Sequence, residues 1–478
     1  MNRGQVASHR IFSGTKVLVM GLGLHGGGGA TARWLVRNGA RVTVTDTRDA
    51  KVLAPSLRAL KGLPMRLVLG RHRTSDFRSH DLIVVNPGVP RESLYLRVAK
   101  NAGKKIENDA SLFFRFLQNP VIAVTGTRGK TTTTLWVAEL LKKKYPAVRQ
   151  SGTPEHAEFK EFERIQGKNI PAVVELSSWQ LEYLPQSDKA PRIAAVTNIY
   201  PEHLNRYRNI KAYADAKANI FLHQRKEDML VLNYDNLWYR YFLKKKPKST
   251  LYYISKKTLP KKLNGAYVKN GKMILRGGGK EQALFFVTRF RKERGEHSLE
   301  NLLRAVLMAK LFDPTVAITE RDILHLPIPR MRQEVVYKRG RLTIVNDSCA
   351  TSPEGTIAAI ERFKGAGSVV LITGGTDKDL EFAGLAAEIK RHIPVRRLIL
   401  LGGSATQKLK KKLMKIRYGV LALEYSTLKE CVAKAIAVAG VEKRKTVILF
   451  SPGAASFEKF LHEFDRGSQF NRLVRRSI

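Results

Sequence analysis

The chain has 478 residues, about three times the roughly 150 residues of a typical domain, so two or three domains are expected. Hydrophobic residues make up 43% of the chain, which is too many for a disordered protein. Lys and Arg number 85 against 41 Asp and Glu, and the formal net charge of +44 indicates anionic partners. Only Cys349 and Cys431 are present, which excludes a disulfide framework and a cysteine-based zinc site. No apolar run reaches the roughly 18 residues of a membrane span, and a cytoplasmic protein is expected.

The first third of the chain alternates strand and helix patterns. Short β-branched runs that end in glycine and lead into helical periodicity are typical of parallel βαβ units. The pattern begins with KVLVMGLG, begins again at Pro120 with VIAVTGTRGKTTTTLWVAELL, and begins a third time at Arg341. Asn270-Gly271, between alternating apolar residues, predicts a two-residue hairpin. The sequence therefore predicts three α/β domains in series, with boundaries near residues 118 and 328.

Three lysine runs, at residues 142–144, 244–246 and 410–412, account for part of the positive charge. Each run is three residues long and is interleaved with apolar residues, which is typical of a solvated surface. The charge is dispersed and does not form a basic tail. The remaining surplus has two open explanations: weak attraction to an anionic membrane, or a generally basic proteome.

A glycine loop, Gly126-Thr127-Arg128-Gly129-Lys130-Thr131, lies between a predicted strand and a predicted helix. Small residues allow backbone N–H groups to approach phosphate oxygens, and the helix N-terminus adds a favourable dipole. Lys130 can reach the outer phosphates, and the Thr131 hydroxyl can ligate Mg²⁺. The loop departs from the full Walker pattern because Val124 replaces its first glycine. It predicts nucleoside triphosphate binding, with a chance turn as the alternative.

A second glycine segment, Gly21-Leu22-Gly23-Leu24-His25-Gly26, follows the first strand, and Asp46 ends the next strand. This arrangement is similar to the dinucleotide-binding fingerprint, in which an acidic residue meets a ribose hydroxyl. Gly27, Gly28 and Gly29 prolong the segment and leave its geometry open. It predicts a nucleotide diphosphate site, with a structural tight turn as the alternative.

Three further residues follow strands of the middle domain. Glu175 ends a predicted strand of the sheet that includes the phosphate loop, where a carboxylate can hold Mg²⁺. His203 follows another strand, and by itself it is typical of an ordinary loop histidine. Lys217 lies on the next predicted helix, and spacing alone indicates a solvated lysine.

The chain resembles the Mur ligase family in an ordered set of motifs that spans nearly its whole length. The motifs are AVTGTRGKTTTT, ELSSWQLE, HLNRY, YADAKANIF, HSLENLLRA, RQE, NDSCATSPEGT, GGTDK and SPGAASFEKF. Each motif is moderately specific, and their order is highly specific. Within the family, ELSSWQLE and NDSCATSP are typical of the enzyme that adds D-glutamate.

The resemblance implies a Rossmann-like domain for a UDP-sugar over residues 1–118. It implies a P-loop ATPase domain with a mainly parallel sheet over residues 119–328, and a Rossmann-like amino-acid domain over residues 329–478. It also implies ATP-dependent amide formation: a carboxylate of UDP-N-acetylmuramoyl-L-alanine takes the γ-phosphoryl group, and D-glutamate then displaces phosphate. The product serves peptidoglycan precursor synthesis.

The resemblance also implies a set of site residues. The expected catalytic residues are Lys130, Glu175, His203 and Lys217, and two Mg²⁺ ions are expected on Thr131, Glu175, His203 and a carbamylated Lys217. The expected ATP-binding residues are Gly126, Thr127, Arg128, Gly129, Lys130, Thr131, Thr132, Asn301, Arg332 and Asp347. The UDP-sugar is expected at Leu24, His25, Asp46, Thr47, Arg48, Asn86, Pro87 and Gly88, and D-glutamate at Thr351, Lys378 and Ser456.

The sequence departs from the family pattern at four places. Arg128 stands where asparagine is frequent, and Cys349 replaces a common lysine. Glu463 occupies a position where phenylalanine is frequent, which leaves the local contact to D-glutamate open. The asparagine expected for the sugar near Gly152-Thr153 is absent.

Two alternatives to the D-glutamate ligase stay open at this point. One is another amide ligase of the same superfamily, with a different Mur ligase or a folylpolyglutamate synthetase-like enzyme as examples. The other is a nucleic-acid-binding P-loop ATPase, which the net charge invites. Against the latter, the sequence shows no basic tail, no helix-turn-helix signature and no basic-aromatic stripe.

Overall fold

A computed structural model describes residues 11–24, 26–153, 157–203, 206–419 and 424–478, except the side chains of residues 158 and 297. The chain divides into two compact units: Met1–Thr288 with Glu300–Leu326, and Arg289–Leu299 with Pro327–Ile478. No helix among the described residues is long and apolar enough to cross a bilayer.

The strands of the described ranges form three sheets. In chain order they are β1 (Lys16–Met20), β2 (Arg41–Asp46), β3 (Met65–Leu69), β4 (Leu82–Val85), β5 (Lys105–Asn108), β6 (Val121–Thr125), β7 (Gln150–Ser151), β8 (Ala172–Glu175), β9 (Ile193–Val196), β10 (Met229–Asn233), β11 (Thr250–Ser255), β12 (Gly265–Lys269), β13 (Lys272–Gly277), β14 (Lys280–Phe286), β15 (Glu334–Arg339), β16 (Leu342–Asn346), β17 (Ser368–Thr373), β18 (Leu398–Leu401), β19 (Glu424–Tyr425) and β20 (Thr446–Phe450).

Helices connect most of these strands. They are α1 (Gly27–Arg37), α2 (Ala54–Arg58), α3 (Thr74–Ser79), α4 (Leu94–Asn101), α5 (Asp109–Phe116), α6 (Lys130–Leu141), α7 (Glu158–Ile165), α8 (Ser178–Leu181), α9 (Ile210–Leu222), α10 (Trp238–Leu243), α11 (Thr288–Arg294), α12 (Glu296–Phe312), α13 (Glu320–Leu324), α14 (Pro353–Phe363), α15 (Ala383–His392), α16 (Ser404–Lys415), α17 (Leu428–Gly440) and α18 (Glu463–Ser477). Short 3₁₀ turns lie at Leu184–Ser187 and Val395–Arg397.

The first unit contains two sheets. The five-stranded sheet has the order β3-β2-β1-β4-β5 and is parallel throughout. The nine-stranded sheet has the order β14-β13-β12-β11-β10-β9-β6-β8-β7 and is parallel from β7 to β12. The predicted hairpin is confirmed: β12 and β13 pair antiparallel around Asn270 and Gly271, which both have positive φ.

One continuous apolar core joins the two sheets of the first unit. Trp34 of α1 stacks on Phe159 of α7 with ring centroids 4.3 Å apart, and both are buried. The same core extends from Phe12 to Tyr267 and Ile274. The predicted boundary at residue 118 lies in the loop between α5 and β6, inside this unit. The assignment of three functional domains stays a prediction.

The second unit is a six-stranded sheet of order β15-β16-β20-β17-β18-β19. All its neighbouring strands are parallel except β15 and β16, and helices supply an apolar core on each face. The mixed α/β class with largely parallel sheets is therefore confirmed. The near-continuous burial of β17 and β20 is the expected consequence of helices that cover both faces.

Residues of the lysine runs form ion pairs, which the prediction of a solvated surface did not include. Lys143 and Lys144 pair with Asp322 and Asp313, and Lys245 pairs with Asp215. The run at residues 410–412 lies inside α16 and pairs with carboxylates of other elements.

Candidate active site

The phosphate loop connects β6 to α6 at the point where the order of the large sheet reverses. The strand β6 lies between β8 and β9, and ligands of open α/β sheets bind at the carboxyl end of such a strand. Gly126 and Gly129 have φ values of 136° and 81°, in the region that favours glycine. A Cβ atom at Gly126 would lie 1.8 Å from Thr197 Oγ1, and one at Gly129 would lie 2.2 Å from Asn301 Oδ1. Both the backbone conformation and the lack of room for a Cβ atom therefore require glycine at positions 126 and 129.

Two residues that the sequence reasoning did not select hold this loop in place. The Asn198 side-chain oxygen accepts a hydrogen bond from Arg128 N at 3.0 Å, and its backbone oxygen accepts from Thr127 N at 2.9 Å. Arg304 of α12 is fully buried and donates to Thr197 O at 3.1 Å. Burial lowers the pKa of Arg304 to about 10. An asparagine directly after a buried strand was the available signal for Asn198, whereas Arg304 lies in an apolar helix pattern and gave none.

Lys130 and Glu175 lie together at the carboxyl edge of the sheet. Glu175 ends β8, and its partner in register on β6 is Val124. Lys130 Nζ lies 3.9 Å from Glu175 Oε1 and donates to Thr127 O at 3.1 Å. Glu175 Oε2 is buried and has no hydrogen-bond partner among the described residues. An unpaired buried carboxylate oxygen at this place fits a Mg²⁺ ligand.

Lys217 is buried, and the surface position that spacing alone indicated is wrong. Its side chain is 1% exposed, because α9 packs this face against β6. The Nζ atom donates to Thr125 Oγ1 at 3.3 Å and lies 4.6 Å from the centre of the Tyr213 ring. Desolvation, followed by the charge of Lys130, lowers the pKa of Lys217 well below its usual value. The structure thus supplies a buried amine next to the phosphate loop.

His203 lies in the loop between β9 and α9 with a φ of 55°, an unusual backbone conformation outside glycine. Its ring lies 5.0 Å from that of Trp179 and 6.0 Å from that of Tyr213. Trp179 belongs to the ELSSWQLE segment, and Tyr213 belongs to the helix that includes Lys217. The predicted metal-site residues of the middle region are therefore near one another in this unit.

The remaining predicted ATP residues of the first unit surround the loop. Thr131 and Thr132 lie in the first turn of α6, and Gln150 Nε2 donates to Thr131 O at 3.0 Å. Asn301 is nearly buried against Gly129, and Thr133 Oγ1 lies 3.4 Å from its Oδ1 atom. Arg332 and Asp347 belong to the second unit.

The first glycine segment forms a tight connection between β1 and α1. Gly21, Gly23 and Gly26 have positive φ values, and a Cβ atom at Gly28 would lie 2.6 Å from two backbone oxygens. The helix therefore packs closely on the strand end, as the fingerprint requires. His25 lies outside the described residues, and Leu24 is half-buried.

Asp46 uses its carboxylate inside the protein. Its Oδ2 atom accepts from Leu22 N at 2.9 Å and from Gly23 N at 3.2 Å, and its Oδ1 atom accepts from Arg48 Nε at 3.0 Å. Hydrogen bonds from Arg48 and from Gly23 N hold the pKa of Asp46 below its usual value although burial opposes them. Asp46 and Arg48 thus order the glycine segment, and their contact with a sugar stays a prediction.

Asn86, Pro87 and Gly88 follow β4 and lie against the same segment. Asn86 Cβ lies 2.9 Å from the place of a Cβ at Gly21, and Asn86 Oδ1 accepts from Gly88 N at 3.0 Å. Pro87 O accepts from Arg206 at 3.2 Å. Thr47 is exposed at the end of β2. The fold therefore brings the two predicted UDP-sugar loops together at the carboxyl ends of β1 and β4.

In the second unit, Asp347 follows β16 and is buried. Ser451 Oγ donates to Asp347 Oδ2 at 2.7 Å, and Gln333 N donates to Oδ1 at 3.0 Å. Burial outweighs these bonds and raises the pKa of Asp347 to about 7. Arg332 lies between Met331 and Gln333, whose φ values are 56° and 51°. Left-handed positions on both sides of one residue are unusual outside glycine and occur mostly in functional loops.

The three predicted amino-acid residues follow three neighbouring strands. Thr351, Ser456 and Lys378 come after β16, β20 and β17, which are adjacent in the sheet. Thr376 and Ala455 form a backbone bridge between two of these loops. Ser456 is 3% exposed, and its hydroxyl has no hydrogen-bond partner among the described residues. Such a hydroxyl is well placed to bond a ligand.

Arg466 is a structural support of this region that the sequence reasoning missed. It is fully buried and donates to Ser348 O, Ala454 O and Ala455 O at 2.8, 3.1 and 2.9 Å. Its only sequence signal was its place in the FDRG segment. Arg466 therefore fixes the loop of Asp347 and Thr351 against the loop of Ser456.

The departures at Cys349 and Glu463 are close to this support. Cys349 is buried, and burial raises the pKa of its thiol to about 12, so it contributes no charge near neutral pH. Glu463 begins α18, and its backbone oxygen accepts from Ser348 Oγ at 2.8 Å. A backbone contact of this kind does not depend on the side chain at position 463.

The chain is similar in sequence to known proteins whose family has been described. The family model of the Mur ligase middle domain matches residues 124–309, and that of the Mur ligase MurD-like N-terminal domain matches residues 15–108. The chain is 37% identical over 467 residues to the UDP-N-acetylmuramoylalanine–D-glutamate ligase of Roseiflexus sp. (strain RS-1), covering 97% of this chain and 98% of that protein.

Two solved structures share the fold. One is the UDP-N-acetylmuramate–alanine ligase MurC of Thermotoga maritima, with a TM-score of 0.59, 20% identity, and coverage of 97% of this chain and 100% of that chain. The other is the MurF ligase of Thermotoga maritima in complex with ADP, with a TM-score of 0.56, 16% identity and coverage of 98% of each chain. The chain belongs to the Mur ligase family. It is an ATP-dependent amide ligase of peptidoglycan precursor synthesis.

Proposed function

We propose that this enzyme joins D-glutamate to UDP-N-acetylmuramoyl-L-alanine. The observation that carries the proposal is the 37% identity, over nearly the full length of both chains, to a relative named for that reaction. The placement of Thr351, Lys378 and Ser456 at adjacent strand ends supports an acidic amino acid, because one cation and two hydroxyls suit carboxylates. Membership of the family decides against the nucleic-acid-binding ATPase.

The first chemical step is phosphoryl transfer between two anions. An oxygen of the substrate carboxylate forms a bond to the γ-phosphorus, the bond to the bridging oxygen breaks, and ADP leaves. Backbone N–H groups at the start of α6 and the ammonium of Lys130 stabilise the charge of the transferring group. Because Asn198 and Arg304 fix the loop beforehand, little reorganisation accompanies the step.

The second step forms the amide. The amine of D-glutamate attacks the acyl phosphate carbon, loses a proton, and phosphate leaves with the electrons of the broken C–O bond. Lys378, Thr351 and Ser456 orient the amino acid for this attack. Arg332 and Asp347 are the proposed ATP-binding residues of the second unit.

Mg²⁺ is expected at Thr131 and Glu175, and a second ion at His203 and Lys217. When bound, it neutralises phosphate charge during the transfer. The unpaired Oε2 atom of Glu175 supports the first position. A protonated lysine cannot bind a cation, and Mg²⁺ takes oxygen ligands, so we propose that Lys217 is carbamylated. The neutral amine adds CO₂ and releases one proton, and the resulting carbamate supplies the oxygen ligand. Burial of Lys217 beside Lys130 and Glu175 supports this modification.

Phosphate release from ATP tests the substrate assignment. The purified chain is assayed with UDP-N-acetylmuramoyl-L-alanine and, in turn, D-glutamate, L-glutamate, L-lysine and L-alanine. Release that requires D-glutamate is expected, and release stimulated only by another amino acid would overturn the proposal. Lys130→Ala should abolish turnover with an unchanged fold, whereas activity within about tenfold of the parent would contradict its role in the transfer.

The carbamate is tested separately with ¹³C-labelled bicarbonate. A carbamate resonance is expected in the parent chain and should be absent in Lys217→Arg, with Lys211→Arg on the exposed side of the same helix as a control. If the fully active parent shows no such resonance, Lys217 acts without modification.

A further inference from the structure

A cavity of about 430 Å³ lies in the second unit, between the start of α17 and one face of α18. Four cationic side chains line it: Lys429, Lys459, Arg472 and Arg476. No acidic residue is among the lining residues. We call this site the basic pocket. None of its four cations belongs to the residues predicted for ATP, sugar or amino acid.

The cations of the basic pocket form no ion pair with a carboxylate among the described residues. Elsewhere in the unit, cations pair with carboxylates, as Lys410 does with Glu424 and Arg397 with Glu442. Within the described ranges, none of the four pocket cations lies within ion-pair distance of a carboxylate; Lys459 Nζ donates to Ser426 O at 2.9 Å. Like charges gathered without counterions raise the local potential and attract anions.

Glu430, which follows the lining residue Lys429, is already engaged. Glu430 accepts from Thr427 N at 2.8 Å and from Thr427 Oγ1 at 2.7 Å, which caps α17. These bonds, together with the charge of Lys459, lower the pKa of Glu430. Because the helix N-terminus is capped in this way, attraction of an anion to the pocket depends on the side-chain cations.

The inner wall of the pocket is apolar. Leu428 is buried, and Phe460 and Leu473 are half-buried against the core between the sheet and α17. A pocket with an apolar wall and a few convergent polar groups, of a volume within the usual range for small molecules, is typical of a ligand site. Cations at the rim and carbon atoms at the wall together suit a phosphorylated ligand that has an apolar portion.

We propose that the basic pocket is a second anion site of this enzyme, for a phosphate-bearing ligand. The ligand is either a free phosphorylated compound or the headgroup of an anionic phospholipid, since both present the same chemistry to the four cations. Charge-assisted bonds from two arginines are among the stronger contacts that proteins make with phosphate.

Calorimetric titration of the full chain with inorganic pyrophosphate at low salt tests the free-anion form. The variant combines Arg472→Ser and Arg476→Ser, and the matched control is Arg475→Ser, which removes one arginine from the same helix outside the pocket lining. The phosphate loop contributes equally to all three proteins, so any difference belongs to the pocket. After the contribution of the phosphate loop is subtracted, we expect the pocket variant to bind pyrophosphate at least about tenfold more weakly than the parent and the control to bind it within about twofold of the parent.

Sedimentation with vesicles of phosphatidylglycerol and phosphatidylcholine tests the lipid form. If the pocket variant loses vesicle binding but keeps pyrophosphate binding, the ligand is a lipid headgroup. If it loses pyrophosphate binding but keeps vesicle binding, the ligand is a free phosphate compound. Lys429→Gln, at an exposed position, replaces the double variant if the latter unfolds at a lower temperature than the parent. Equal binding of both probes by parent, pocket variant and control would overturn the proposal.

Discussion

Arg466 offers the most direct test of how the second unit holds its site residues together. The change is Arg466→Met, which keeps most of the side-chain length and removes every donor. In the parent, Arg466 makes hydrogen bonds to Ser348 Oγ, Ser348 O, Ala454 O and Ala455 O. The variant therefore removes the hydrogen bonds that hold the loop after β16 against the loop after β20.

The size of the effect follows from the acceptors. Ala455 O keeps the N–H of Thr376, whereas Ser348 O and Ala454 O lose the hydrogen bonds from Arg466. A buried acceptor left without a donor costs about 1–3 kcal/mol, and two such acceptors lose their donor here. We expect local stability to fall by about 3 kcal/mol, which corresponds to a roughly hundredfold faster amide exchange.

Hydrogen exchange with mass spectrometry measures this effect on peptides that cover residues 345–355 and 450–460. The Michaelis constant for the amino acid should rise in parallel, because the two loops include Thr351 and Ser456. Arg475→Met is the control, since Arg475 is exposed on the same helix. Exchange in both peptides within about threefold of the parent would refute the assigned role of Arg466.

Two further predictions concern the phosphate loop and pH. Gly129→Ala should raise the Michaelis constant for ATP by at least about tenfold, because its Cβ would meet Asn301 Oδ1 at 2.2 Å in a left-handed backbone position. A Michaelis constant within about twofold of that of the parent would contradict this reasoning. Asp347 has its pKa raised to about 7, so the folded state holds a proton that the unfolded state releases, and its contribution to stability is lost as pH rises from about 4 to 7. Between pH 5 and 8 the parent should therefore lose about 2–3 kcal/mol more unfolding free energy than Asp347→Asn, measured by denaturant titration; equal losses would contradict the raised pKa.

The net charge has a more specific meaning after the structure is known. Many cations of the lysine runs pair with carboxylates on neighbouring elements, as Lys143 does with Asp322. Within the part of the chain that the structure describes, the cations of the basic pocket form no such pairs. The distinction depends on which side chains meet in space, and the count of +44 contains no information about it.

The sequence determined the features that depend on local backbone chemistry. Three features could be predicted: strands that end in glycine loops, the phosphate loop before α6 and the Asn270-Gly271 hairpin. The spacing of apolar residues identifies strands and helices, and positive φ favours glycine and asparagine. The ordered motifs also determined the family. These signals arise within a few residues of one another and need no knowledge of the packing.

Only the tertiary structure decided the roles of residues whose partners are distant in the chain. Lys217 is an ordinary helical lysine in the sequence, and it is buried because α9 packs on β6. Arg304 and Arg466 likewise hold loops that are more than 100 residues away in the chain. Arg304 donates to Thr197 O, and Arg466 donates to Ser348 O. Burial, pKa shifts and hydrogen-bond partners depend on which segments of the chain are in contact. Those contacts form only when the helices pack on the sheets within each unit.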